Sequence, residues 1–206
     1  MSTVLKYKFT FKKEFIIMEK NAVQKHSGIS VVTMTLIGVM TAITCILGPL
    51  SIPLPISPVP ISFTNLAIYV TLYVLGMKAG TVSYLVYLLI GLVGAPVFSG
   101  FTGGPAKLAG PTGGYLIGFI FIALIDGFFI DRFPKKYYLH FIGMVLGTAV
   151  CYLFGTLWLC YQLKLGFVAG LWAGVIPYLP GDAAKIIISL ILGPVLRTAV
   201  SEFKNH

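Results

Sequence analysis

Acidic side chains are scarce in this chain: six Asp and Glu among 206 residues, with charged residues of both signs making up only 10%. A soluble domain needs a charged surface, and so few charges cannot supply one when 57% of the residues are hydrophobic. Histidine and cysteine are equally sparse, at three each. Cys45, Cys151 and Cys160 all fall in apolar runs without paired spacing, which excludes a disulfide framework and a cysteine-based metal site. There is no GK[ST] phosphate loop and no nucleophile–base pair, so no enzyme activity and no cofactor is expected. Low-complexity tracts and visible internal repeats are missing too.

What the chain does have is apolar length. Its mean hydropathy is +0.94, and the natural solvent for such a sequence is a bilayer. It reads as an all-α integral membrane protein with six spans: Ile29–Leu47, Ile61–Met77, Ala79–Val93, Gly113–Ile130, Tyr138–Tyr161 and Ala183–Val200. Met1–Ser27 is a basic, mixed tail without the apolar core and cleavage site of a signal peptide, and Met18 offers an alternative start. The membrane domain is then residues 28–206.

Between the spans lie three unusual stretches. Gly48–Pro60 holds five prolines, which forbid helix and favour an extended strap, too apolar for a solvated loop. Gly94–Gly114 holds seven glycines, a backbone able to turn sharply and to lie close to a ligand or to line a cavity. Gln162–Leu179 reads as a short interfacial helix carrying Trp172 and Tyr178. On the first span, Gly38 and Ala42 form a small-xxx-small pair that lets another helix approach, whether from this chain or from a partner. Gly143, Gly147 and Cys151 form a similar stripe on the fifth span and read as packing.

The distribution of charge fixes a topology. With the N-terminus inside and six spans, Lys6, Lys8, Lys12, Lys13, Lys20, Lys25, Lys78, Arg132, Lys135, Lys136, Arg197 and Lys204 all fall inside, against Lys107 and Lys164 outside. Both termini are then cytoplasmic. Asp182 becomes the outer side's lone acid, and the proline strap and glycine-rich stretch share that side. Asp182 and Lys185 belong to PYLPGDAAK, Pro177–Lys185, where Pro180 and Gly181 set a helix start. A carboxylate in the first turn suits the unpaired N–H groups there, and Lys185 shares its face one turn deeper. An N-cap with a local ion pair accounts for the two residues alone. Three odd features meeting on one side point instead to an outward binding pocket, and Asn65 sits near the outer end of its span beside it.

These stretches resemble a known family. IPLPISPVPIS at Ile52–Ser62, PVFSGFTGG at Pro96–Gly104, GPTGGYLIGF at Gly110–Phe119 and PYLPGDAAK at Pro177–Lys185 are together similar to the BioY family, the biotin-specific S components of energy-coupling-factor (ECF) vitamin transporters. The resemblance covers nearly the whole chain from the first span onward but not Met1–Ser27. It implies the six-helix S-component fold, biotin bound in the outer half under the strap, and transport together with a transmembrane coupling subunit (EcfT) and two ATPase subunits of EcfA type. It also implies that Gly38 and Ala42 dock the partner. Biotin offers two ureido N–H donors, a carbonyl acceptor and a carboxylate. Asp182 can accept a ureido N–H, and Lys185 can pair either with the biotin carboxylate or with Asp182. Asn65 suits the remaining ureido groups, with Thr64 standing where the family often has Gln. Thr112, Gly113, Gly114 and Tyr115 match the family's GPTGGY and should border the ligand, as should Tyr178 within PYLPGDAAK, while Lys107 is placed at the rim.

Three rival readings differ in kind. An S component for riboflavin or thiamine calls for an aromatic-lined pocket and lacks the PGDAAK ending. An intramembrane aspartyl protease needs two carboxylates sharing a proton, and Asp126 lies at the opposite end of its helix from Asp182's side. A purely structural subunit gives Asp182 and Lys185 no ligand to meet.

Overall fold

Long apolar runs punctuated by glycine and proline give a helical molecule whose breaks fall where the sequence punctuates it. The computed structural model describes residues 30–55 and 57–204, so the N-terminal tail lies outside the described residues. The following concerns the unit Val32–His206. The elements in chain order are α1 (Val31–Leu47), β1 (Ser51–Ile52), β2 (Ile61–Ser62), α2 (Thr64–Leu92), α3 (Pro105–Ala109), α4 (Gly113–Arg132), α5 (Tyr137–Leu163), α6 (Phe167–Gly174), a 3₁₀ turn (Ile176–Tyr178) and α7 (Leu179–Lys204). Among the described residues, four stretches are long and apolar enough to cross a membrane: Thr64–Leu92, Gly113–Arg132, Tyr137–Leu163 and Phe167–Glu202. The 17-residue α1 is shorter and also apolar.

The break expected at GMKAG is real. Gly76 has φ 77° and ψ −178°, open to glycine without strain. Beyond it the chain folds back, because a Cβ on Gly80 would sit 2.9 Å from the Leu72 side chain, whereas eight residues of straight helix rise about 12 Å. α2 is therefore a helical hairpin. Asp131 at the end of α4 secures the turn by accepting the Met77 N–H at 2.8 Å, and Arg197 of α7 lies 3.7 Å from the same carboxylate.

The small-residue stripe on α5 packs as expected, against α4. A Cβ on Gly143 would meet Phe129 at 2.8 Å and one on Gly147 would meet Ile122 at 3.1 Å, while Cys151 faces Gly118. Tyr69, Tyr73, Tyr84 and Tyr87 of α2 are buried with Phe98 and Leu159 in the core. Each of these tyrosines places its hydroxyl on a partner: Thr148, His140, the Leu116 carbonyl and the Val97 carbonyl respectively. Such pairing is what allows a phenol to be buried among apolar helices.

The proline strap does not run as a simple extended segment. Its two ends pair as a short antiparallel ribbon, Ser51 opposite Ser62 and Ile52 opposite Ile61, with Pro53, Pro55, Pro58 and Pro60 in the turn between. The glycine-rich stretch lies beside it, donating the Gly100 N–H to Pro49 O at 3.0 Å. Phe98 plugs that stretch into the core against Tyr87 and Gly91.

Candidate functional site

α7 begins earlier than the sequence suggests. Pro177 lies in the 3₁₀ turn and Leu179 already has helical geometry, so Pro180 and Gly181 occupy the first turn instead of preceding it. Proline is tolerated there because its missing N–H has no intrahelical partner. Asp182 remains in the first turn, with Lys185 on the same face.

The two side chains meet a third from far away in sequence. Asp182 Oδ1 accepts the Asn65 Nδ2–H at 2.9 Å and the Lys185 Nζ–H at 2.9 Å. Lys185 also donates to Asn65 Oδ1 at 3.1 Å and to Ser62 O at 2.6 Å. An ammonium has three protons, and here each is committed within the protein. Asn65, Asp182 and Lys185 are 4%, 9% and 6% exposed. The closed triangle is the form in which a buried ion pair is tolerated, every charged atom having a hydrogen-bonded counterpart. One acceptor position on Asp182 Oδ2 goes to the Tyr152 hydroxyl, at 2.5 Å.

The triangle forms the floor of a cavity of about 50 Å³. Its walls are Tyr115 and Phe119 of α4 and Tyr152 of α5, and its roof is Val59 and Pro60 of the strap with Tyr178. Tyr178 ties the roof down, donating to Ser57 Oγ at 2.6 Å with Val59 O beside it, and Ser57 in turn donates to Ala173 O. Small-molecule pockets usually measure about 300–1,000 Å³, so a bicyclic ligand requires the strap and Tyr178 to move outward.

Of the residues proposed from sequence, Asn65, Asp182, Lys185, Tyr115 and Tyr178 are brought together around this cavity. Thr64 lies next to it but is buried, accepting a bond from Ser62 Oγ at 2.7 Å. Thr112, Gly113 and Gly114 do not line it. Thr112 precedes α4, Gly113 packs on the Leu108 carbonyl, and Gly114 packs on Trp158, whose indole N–H bonds Gly110 O at 2.9 Å. Lys107 lies on α3, outside the lining, where burial lowers its ammonium below the ordinary lysine range. Trp172 is 63% exposed and is not among the residues that line this cavity. Tyr152, Ser57, Ser62 and Phe119 were not singled out by the sequence reading. A mid-span tyrosine needing a hydrogen-bond partner was the available signal for Tyr152.

Gly38 and Ala42 face outward. The packed side of α1 is Ile37, Met40, Thr41 and Thr44, with Thr41 bonded to Ser83. A Cβ on Gly38 would meet nothing within 4 Å. Asp126 is fully buried in α4, its oxygens have no partner among the described residues, and it is not among the groups bonded to Asp182.

The BioY family model matches residues 18–202. The chain belongs to the BioY family. Biotin transporter BioY2 of Lactococcus lactis subsp. cremoris is 34% identical over 84% of this chain and 94% of that protein. Biotin transporter BioY of Thermotoga maritima is 32% identical over 75% and 89%. A crystal structure of the S-component for biotin from an ECF-type ABC transporter superposes with a TM-score of 0.75 at 33% identity, covering 81% of this chain and 90% of that one. Each of these is a transporter or part of one; none is an enzyme. BioY membership and the long apolar helices together make this a multi-pass membrane protein.

Proposed function

We propose that this chain is the high-affinity biotin-binding S component of an ECF transporter, with biotin held beneath the proline strap in a pocket on the outer side. The observation that carries this reading is the Asn65–Asp182 edge. The Asn65 amide has a second hydrogen beyond the one given to Asp182, and Asp182 Oδ2 has a lone pair beyond the one used by Tyr152. A donor beside an acceptor matches the C=O and N–H of a cyclic urea. Phe119, Tyr115 and Val59 supply apolar surface for the thioether ring.

The topology that goes with this has six spans, counting the α2 hairpin as two, with both termini cytoplasmic. The positive-inside distribution of Lys and Arg supports it. Gly38 and Ala42, open on α1, suit docking by the coupling subunit EcfT, and ATP hydrolysis falls to two EcfA-type subunits because this chain lacks a phosphate loop. The test is titration of the purified chain in detergent with biotin, riboflavin and thiamine. One-to-one binding of biotin alone, sharply weakened in Asp182→Asn, is the expected result. Binding of another vitamin keeps the fold and overturns the substrate. Folded protein that binds none of the three returns Asp182 and Lys185 to the role of helix cap.

A further inference from the structure

Asp182 is gripped unequally. Both Asn65 and Lys185 hold Oδ1, whereas Oδ2 is held by Tyr152 alone. Two donors on one oxygen fix that atom but leave the carboxylate plane free to swing about it, so the Tyr152 hydroxyl sets the plane. The plane decides where the remaining Oδ2 lone pair points.

Tyr152 has a second place in the fold. It and Asp182 line the 50 Å³ cavity under the strap and also a larger crevice of about 220 Å³ between α5 and α7. The crevice is walled by Val145, Thr148, Ala149, Leu179, Ala183 and Ile186, almost entirely apolar. The phenol and the carboxylate it holds are therefore the partition between the strap cavity, with its polar floor, and the apolar crevice.

We infer that Tyr152 is a positioning and specificity-determining residue for the ureido ring: its hydroxyl aims Asp182 into the strap cavity, and its ring bars the ligand from the α5–α7 crevice. This rests on the biotin-binding reading above. The two roles separate chemically. Phenylalanine keeps the partition and removes the aim. Leucine shortens the partition and opens the crevice to a substituent on the ureido edge.

The experiment measures equilibrium binding of biotin and of biotin methylated on a ureido nitrogen, to the full-length chain and to Tyr152→Phe, Tyr152→Leu, Asp182→Asn and the Tyr152→Phe/Asp182→Asn double variant, each checked for a monodisperse gel-filtration profile. Tyr152→Phe is expected to weaken biotin binding about tenfold, the scale of one hydrogen bond to a charged group, and to cost nothing further in the D182N background. Tyr152→Leu is expected to erase most of the discrimination against the methylated ligand. Losses that multiply in the double variant, or full biotin affinity in Tyr152→Phe, overturn the aiming role. Unchanged discrimination in Tyr152→Leu overturns the partition, and this comparison stands even if the D182N variants fail to fold. Failure of the unmodified chain to bind biotin is a different result, which overturns the biotin reading and this inference with it.

Discussion

Replacing Lys185 with methionine separates the two roles open to it. All three ammonium protons are used inside the protein, on Ser62 O, Asn65 Oδ1 and Asp182 Oδ1. Lys185 is therefore expected to act on a ligand through Asp182 and not by meeting a tail carboxylate. Methionine preserves much of the length and apolar volume but leaves Asp182, 9% exposed, without its counter-charge. Breaking a buried pair by removing one partner costs about 3–5 kcal/mol. Part of this appears as lost stability, read as a lower unfolding midpoint in detergent. The double variant Asp182→Asn/Lys185→Met should recover much of it, because the orphaned charge is gone. The part that appears in binding is the misorientation of Asp182, about 1.5–3 kcal/mol for a hydrogen bond to a charged group, or roughly ten- to a hundredfold in Kd. The assay is titration with biotin and with biotinamide, which keeps the ureido ring and lacks the negative tail. Both affinities should fall by a similar factor. A variant that loses biotin but keeps biotinamide would refute the reasoning, since only a direct contact with the carboxylate gives that pattern.

Two further outcomes follow from packing and charge. Gly38→Trp, placed on the open face of α1 where an added Cβ has none of the described residues within 4 Å, should leave folding and biotin affinity unchanged and abolish co-purification with the coupling subunit. Asp126→Leu should leave biotin affinity unchanged and raise the unfolding midpoint, because a fully buried carboxyl with no partner among the described residues costs about 1–3 kcal/mol; a lower midpoint would show that Asp126 has a partner beyond them.

Much of this molecule could be read from local sequence, and what could not depends on long-range contacts. Helices announce themselves by apolar length, the hairpin by glycines flanking Lys78, and the Asp182–Lys185 pair by its spacing of three, since all of these are properties of adjacent residues. Asn65 lies 117 positions from Asp182, and its place near the outer end of a span was enough to make it a candidate. Tyr152 sits on α5 in a run of apolar residues with nothing adjacent to mark it, and only the packing of α5 beside α7 gives its hydroxyl a carboxylate. The glycine-rich stretch shows the opposite error. Its composition suggested a ligand-lining loop, but Phe98 inserts beneath Gly91 and Tyr87 and holds the loop on the core, so of the GPTGGY turn only Tyr115 reaches the cavity.

The saturation of the triangle bears on how such a site achieves both affinity and selectivity. Asp182, Asn65 and Lys185 already satisfy one another, so a ligand's ureido group takes up the positions left over, the second Asn65 hydrogen and the second Oδ2 lone pair, and gains little net energy over its bonds to water. A ligand without the matching donor and acceptor does far worse, since it covers those buried positions and leaves them unpaired. The polar floor thus discriminates, and the binding energy has to come from elsewhere. Tyr115, Phe119, Val59 and Pro60 are the surfaces placed to supply it by burying an apolar ring. They supply it fully only when the strap closes over the ligand, because Val59, Pro60 and Ser62, which line the cavity, and Tyr178, the tyrosine that fastens them, either form the roof or hold it to the floor. On the proposed reading, affinity then depends on closure and selectivity on the triangle, and variants in the strap should change how long a ligand stays more than which ligand is chosen.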